Sequence, residues 1–312
     1  MAESSPASRR LPPWLLRLTV AVALIMAAGT AVVAALEATG ISPYPEPFVF
    51  HNANRIEAAA DRAYRMPDSL LVVALGTERL RMATLDEAPL ARLGRGEGLE
   101  SLHLLRVTND GAVFADFEPL LDRILAVRPD LVLIDLDLPF RERRLLAAMA
   151  EHARRLADRV EAEHPLPARN QVALQYARTC APPPDGGPAA TAAEQESRYT
   201  LAADATAYER VRAFAERAAV AGTRVVLLEL RDAPALEALR FGDSSHPPEA
   251  LARVAADPAF DLWRFPRDLH RADLYCNHRH PGEEARRAYS AWLVATIAAT
   301  VGRPAAEAVS MR

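Results

Sequence analysis

The chain contains no lysine, so all 37 of its basic residues are arginines. A GC-rich genome, which favours Ala, Arg, Pro and Gly codons, gives this pattern, and arginine abundance is therefore no evidence of an anion site. Cysteine is nearly absent too, with only Cys180 and Cys276. No Cys/His spacing suggests structural zinc and no catalytic metal set stands out, so neither a metal nor a cofactor is expected. In an exported domain the two cysteines can pair, but their spacing does not show whether they meet. The formal net charge of −4 leaves no basic footprint for nucleic acid. Gly-rich phosphate loops, RNA-binding signatures and internal repeats are all missing. What is present is ample core material: 312 residues, half hydrophobic and a quarter charged, enough for one large domain or two smaller ones.

The N-terminal stretch RLTVAVALIMAAGTAVVAAL is uncharged from Leu18 to Leu36 and follows Arg9, Arg10 and Arg17. About 20 apolar residues at 1.5 Å rise suffice to cross a bilayer core. The run is apolar on all faces, unlike a buried soluble helix. It is longer than the apolar region of a cleaved signal peptide and lacks a clean cleavage site. The expectation is a retained signal anchor over residues 14–37, with residues 1–13 cytoplasmic. Because basic residues stay inside, the rest should face the periplasm of a single-pass bacterial inner-membrane protein. Residues 38–67 read as a linker leading into the domain, kept from being helical by prolines and Gly40, with His51–Ile56 seating it.

Beyond residue 67 apolar strands alternate with helical patterns. Strands are expected at 69–75, 102–108, 129–138 and 223–230, with helices between them and a last helix near 282–302. That order argues for a parallel sheet covered on both faces. Residues 141–163 read as an amphipathic helix and residues 180–197 as a Pro/Gly/Ala loop, both within an insertion at 141–200. The domain is expected over 68–302, followed by a tail at 303–312.

In a doubly wound sheet, ligands bind beyond the carboxyl ends of the strands. Three pieces converge there: Gly76-Thr77-Glu78, Asn109-Asp110-Gly111, and the segment ADLYCNHRHPGEEARRAY before the last helix. Together they resemble the SGNH/GDSL hydrolase superfamily, most of all its membrane-anchored envelope branch, akin to D-alanyl transfer and alginate O-acetylation proteins. The resemblance spans about residues 68–296 and is carried by short motifs. It implies a three-layer α/β/α, flavodoxin-like fold with a mostly parallel sheet. It also implies acyl-ester hydrolysis or transfer on envelope polysaccharides, with a polysaccharide or a membrane acyltransferase as partner. The family's first block, strand–Gly–(Asp/Thr/Ser)–Ser, matches Gly76, Thr77 and the downstream Arg81, but Glu78 stands at the serine. Gly111 fits the glycine whose N–H helps hold the oxyanion, beside Asn109. The third block's Asn is missing, as is common in the envelope branch. Registering the last block on Tyr289 and Trp292 puts His280 at the histidine and Asn277 at the aspartate, with Ala285 where glycine is usual. A looser register uses Asp273 with Cys276 or His278.

These departures carry the functional reading. Serine-type acyl transfer needs a hydroxyl that histidine deprotonates and a carboxylate that fixes the histidine tautomer. Glu78 has no hydroxyl and Asn277 no charge. The expectation is a degenerate, membrane-anchored SGNH-like protein that binds a saccharide, an acyl ligand or a protein partner. The alternatives are an active acyl esterase or O-acyltransferase using Glu78 and His280, and a structural subunit of an envelope assembly. Arg79 and Arg81 are expected to neutralise Glu78, and His270 and His278 to be solvated loop residues. One of Asp135 and Asp137 is expected to point to solvent at its strand end. The literal Gly242-Asp243-Ser244 run lies outside the motif's structural context and reads as a surface turn.

Overall fold

Strand β1 (Ser69–Gly76) is apolar almost throughout because both of its faces are covered. Side chains alternate across a strand. Leu71, Val73 and Leu75 accordingly enter one hydrophobic core, and Val72 and Ala74 enter the other. The computed structural model describes residues 12–39, 47–66, 68–144, 147, 150, 180, 187–242 and 244–301. The side chains of 30, 32–39 and 47 lie outside that description.

The further strands described are β2 (Ser101–Thr108), β3 (Leu131–Asp135), β4 (Arg141–Arg143), β5 (Tyr199–Leu201), β6 (Arg224–Leu228) and β7 (Asp261–Trp263). Five of them form one sheet in the order β2-β1-β3-β6-β7, with every pairing parallel. β4 and β5 form a separate antiparallel pair. The chain leaves β1 towards β2 and then crosses to β3 on the other side. The carboxyl ends of β1 and β3 therefore flank the switch point where doubly wound sheets open a crevice.

The helices are α1 (Pro13–Thr39), α2 (Pro47–Tyr64), α3 (Glu78–Ala83), α4 (Glu87–Gly96), α5 (Glu118–Ala126), α6 (Gly187–Arg198), α7 (Thr206–Val220), α8 (Pro234–Phe241), α9 (Pro248–Ala256) and α10 (Glu283–Val301). One face of the sheet is covered by α2, α5, α7 and α9 through residues such as Ile56, Leu120, Phe214 and Val254. The other is covered by α3, α4 and α10 through Leu80, Leu90, Tyr289 and Leu293. The result is the expected three-layer α/β/α arrangement.

Several expectations are corrected. The linker is helical from Pro47, because proline is tolerated at a helix's first position, where its missing N–H has no partner to lose. Phe48, Ile56, Ala59, Ala60 and Ala63 then pack α2 into the core, so the domain begins well before residue 68. Residues 141–143 are a strand rather than a helix start, and the rest of the helix expected to 163 falls almost wholly outside the described residues. The loop expected over 180–197 is helical from Gly187, where AATAAEQESR supplies good helix formers. β7, only three residues long, gave no periodic signal.

The anchor expected over 14–37 lies partly outside the described side chains, and among the described residues no helix is long and apolar enough to cross a membrane. The described apolar side chains of α1, including Trp14, Leu16, Leu18, Leu24, Ile25 and Met26, are exposed. The tail at 303–312 lies outside the described residues.

Candidate functional site

The carboxyl end of β1 delivers three residues to the crevice. Gly76 has to be small, because a Cβ there would stand 2.7 Å from the Cβ of Leu80 in the following helix. Thr77 caps α3, its hydroxyl accepting from the N–H of Arg79 at 3.3 Å and donating to Asp135 at 3.0 Å. Glu78 is the first residue of α3 and is buried. Its location at a helix start suits a carboxylate, although α3 is only 6 residues long.

The turn after β2 meets Glu78. Asn109 donates its backbone N–H to the Gly76 carbonyl at 3.2 Å, which docks this turn beside the β1 end. Gly111 then adopts φ +62°, a conformation glycine takes at no steric cost, and points its N–H at Glu78 Oε2, 2.7 Å away. The Gly111 carbonyl accepts from the Tyr199 hydroxyl at 2.7 Å, and a Cβ on Gly111 would collide with that hydroxyl.

The third piece, ahead of α10, closes on the same carboxylate. Arg279 Nη2 lies 2.9 Å from Glu78 Oε1. The cations expected beside Glu78 are engaged elsewhere. Arg79 turns under the sheet end to Asp135 at 3.2 Å, Asp137 at 2.7 Å and Asp232 at 3.7 Å, and Arg81 reaches Asp110 at 2.8 Å. The reason is topological: α3 carries Arg79 back towards β3, where buried carboxylates need a cation. Asp135 and Asp137 are both buried, which corrects the expectation that one would face solvent. Burial tends to raise the Asp137 carboxyl, but Arg79 and His246 outweigh it and hold it well below the usual range.

Burial likewise tends to raise the Glu78 carboxyl. Arg279, Arg141, the Gly111 N–H and His280 together overcome it and leave the group well below the ordinary carboxylate range. Glu78 is a fixed anion. It has no proton to donate near neutrality.

His280 joins this cleft with an inverted hydrogen-bond pattern. The side-chain oxygen of Asn277 accepts the backbone N–H groups of Arg279 and His280, each at 2.9 Å. Those two bonds fix the amide, so its NH₂ faces His280 Nδ1 at 3.1 Å and donates to it. Nδ1 is then the acceptor and Nε2 carries the proton. A hydrolytic histidine needs the opposite tautomer, with a free lone pair on Nε2. Burial also pulls the His280 pKa down to about 4, against the opposing pull of Glu78, so the ring is neutral near pH 7. Its Nε2 is buried with no hydrogen-bond partner among the described residues.

Two members of the looser register are engaged elsewhere. Asp273 is exposed and paired with Arg271, while Cys276 is joined to Cys180 in a disulfide that tethers residue 180 beside the His280 turn. His270 is not a solvated loop residue; its Nε2 lies 3.1 Å from the Asp232 carbonyl and 3.2 Å from Glu237. The His278 carbonyl accepts the Ala233 N–H at 3.0 Å, fixing its backbone. In the Gly-Asp-Ser run, Gly242 is at φ +66° and Ser244 Oγ bonds the His246 carbonyl, as in a turn; Asp243 lies outside the described residues.

Sequence reasoning missed Arg279, Arg141 and Asp232. Arg279 is adjacent to His280, but in a chain whose cations are all arginine it carried no distinguishing signal. His246 was also passed over. It is fully buried, its Nε2 2.8 Å from Asp137 and its Nδ1 3.0 Å from Ser245 Oγ, whose hydroxyl meets Glu229.

No protein-family model matches the chain, and no curated protein matches it by sequence. Similar solved structures include the following three. One is described as a candidate acylhydrolase from Bacteroides fragilis, 11% identical, TM-score 0.40, covering 79% of this chain and 97% of that one. Another is TesA, 15% identical, TM-score 0.35, covering 73% of this chain and 98% of that one. The third is the Bacillus subtilis protein YxiM, 13% identical, TM-score 0.38, covering 76% of this chain and 58% of that one.

Proposed function

We propose that this chain is a degenerate SGNH/GDSL hydrolase-like protein, held in the bacterial inner membrane by its N-terminal segment, whose periplasmic cleft binds rather than hydrolyses. One observation carries the reading. The Glu78 carboxylate fills the position where a serine would attack and takes the Gly111 N–H that an oxyanion would need. A transition-state oxyanion is stabilised by donors aimed at where charge develops. Here the donor is already saturated by a permanent anion, which Arg279 also clamps. The Asn277-imposed tautomer of His280 removes the general base as well.

The anchor and orientation rest on the uncharged run Leu18–Leu36 behind Arg9, Arg10 and Arg17. The Cys180–Cys276 bond suits an oxidising compartment. A ligand such as an envelope saccharide, an acyl-bearing polymer or a membrane acyltransferase partner follows from the family resemblance.

The test is hydrolysis of p-nitrophenyl acetate by the full chain in detergent micelles. The expected rate equals the buffer background. Rapid hydrolysis that disappears in His280→Ala would establish an active esterase and overturn the proposal.

A further inference from the structure

The chain enters the α/β domain at the end that carries the Glu78 cleft. Phe48, in the first turn of α2, packs edge-on against Phe117, ring centroids 5.8 Å apart, shortly after the turn that holds Gly111. Further along α2, Arg55 donates to the Arg106 carbonyl near the carboxyl end of β2, at 2.8 Å. The last turn of α2 lies at the opposite end of the sheet. There the Ala63 carbonyl accepts from Ser69 Oγ, at the start of β1, at 2.6 Å. The Tyr64 hydroxyl donates to the Val127 carbonyl, ahead of β3, at 2.5 Å. α2 therefore runs antiparallel to β1, starting level with the cleft and ending at the base of the sheet.

Between α1, which ends at Thr39, and α2, which begins at Pro47, lie only residues 40–46. Even fully extended, a segment of that length spans at most about 25 Å, and a flexible one spans roughly 15 Å. With α1 as the anchor proposed above, the cleft end of the domain is held within that distance of the lipid headgroups. The reverse orientation does not fit. Turning the base to the bilayer would make the segment climb the whole 18-residue length of α2, about 27 Å. It would then have to clear the headgroup layer, roughly 5–7 Å deep, which exceeds its reach. The exposed apolar side chains at the base, Met66, Val220 and Val301, are thus kept away from lipid. Adhesion is not what sets the orientation, because exposed charge at the cleft end is mixed: Arg271 pairs with Asp273 and Arg287 with Glu283. The short tether sets it.

We infer that the Glu78 cleft faces the bilayer and that the lipid headgroup layer is the surface it meets. The inference rests on the anchor reading of the proposed function. It narrows the ligands of that cleft to groups presented at the outer surface of the membrane, within about 25 Å of the headgroups.

The experiment uses the full chain in lipid nanodiscs that contain a lipid with a dye-labelled headgroup as energy acceptor. Glu284→Cys and Val301→Cys, made singly, place a donor dye at either end of α10, with Glu284 at the cleft end. Both positions are exposed, and no native cysteine is free among the described residues, so only the new thiol reacts. The helix is 19 residues long, about 28 Å, so transfer to the headgroups is expected to be about twofold or more stronger from residue 284 than from residue 301. Inserting about 20 Gly and Ser residues after residue 40 frees the domain and should remove most of that difference. Equal or reversed transfer in the unlengthened chain, or a difference that survives lengthening, overturns the inference. Alkaline carbonate extraction separates the two possible failures. A chain released from the bilayer refutes the anchor reading and this inference with it, whereas a retained chain with equal transfer refutes the orientation alone. Esterase activity, if found, would remove the proposed binding role without touching either result.

Discussion

The carboxylate of Glu78 accepts the backbone N–H of Gly111 at 2.7 Å. On the function proposed above, one residue sits where attack would begin, and the other carries the donor that would hold the resulting oxyanion. Their direct bond is a closed circuit, and Arg279 on the far side of the same carboxylate keeps it closed. The consequences below follow from that bond and from the groups around it.

On the proposed function, restoring chemistry requires both ends of the cleft to change. Glu78→Ser frees the Gly111 N–H and supplies a hydroxyl, while Asn277→Asp makes His280 Nδ1 a donor and returns the lone pair to Nε2. The double variant should hydrolyse p-nitrophenyl acetate above background. Glu78→Ser alone should be slower by up to roughly 10⁴, the loss seen when a triad aspartate becomes asparagine. A double variant with no activity, despite a native circular-dichroism spectrum, would count against the resemblance to acyl hydrolases.

Glu78→Gln should destabilise the protein, by about 1–3 kcal/mol, because it leaves the half-buried Arg279 with only the more distant Asp232 carboxylate, 4.0 Å away. The sign of the pH dependence is fixed by the direction of the shift. Glu78 has a folded pKa below its ordinary 4.5, so its contribution is complete above that value and is lost as pH falls through the lower folded one. Urea unfolding of both proteins between neutral pH and strongly acid pH measures it. The gap between them should narrow on the acid side.

His280 acts in a higher window. Its pKa falls from 6.5 in the unfolded chain to about 4 in the folded one. Between those values the unfolded state binds more protons, so stability rises with pH, by at most about 1.4 kcal/mol per pH unit from this one group. His280→Gln should flatten that part of the profile. Nitrogen-15 NMR of the imidazole should show the Nε2–H tautomer at neutral pH, and Asn277→Asp should switch it.

Arg79→Met should cost about 3–5 kcal/mol, because it takes the guanidinium from the buried carboxylates of Asp135 and Asp137, leaving, among the described residues, Asp135 with no cation and Asp137 with His246 alone. Denaturant midpoints at pH 7 read this directly. A change below about 1 kcal/mol, the size of a surface ion pair, would mean that these charges are not held as described.

Reduction should release residue 180 from the His280 turn. Thiol labelling should find neither cysteine reactive before reduction and both afterwards. The bond spans a sequence separation of 96, a long loop, so reduction should lower stability by up to about 4 kcal/mol. Thermal unfolding with and without dithiothreitol tests it.

The sequence by itself determined the layers. Strands such as SLLVVALG and LVLID had to be apolar on both faces to lie in a covered parallel sheet, and helical spacing placed Tyr289, Leu293 and Ile297 on one side of α10. It also determined that residue 78 is a glutamate without a hydroxyl and residue 277 an asparagine without a charge, since these are facts of composition at a position. Tertiary structure decided the rest. Whether Pro47 ends a linker or opens a helix depends on what α2 can pack against, and local pattern cannot supply that. The partners of Glu78 come from turns about residues 111 and 279, brought together only by the order of the strands. Sequence distance holds no record of that meeting, and in a chain whose every cation is arginine, composition could not point to which arginines would be there.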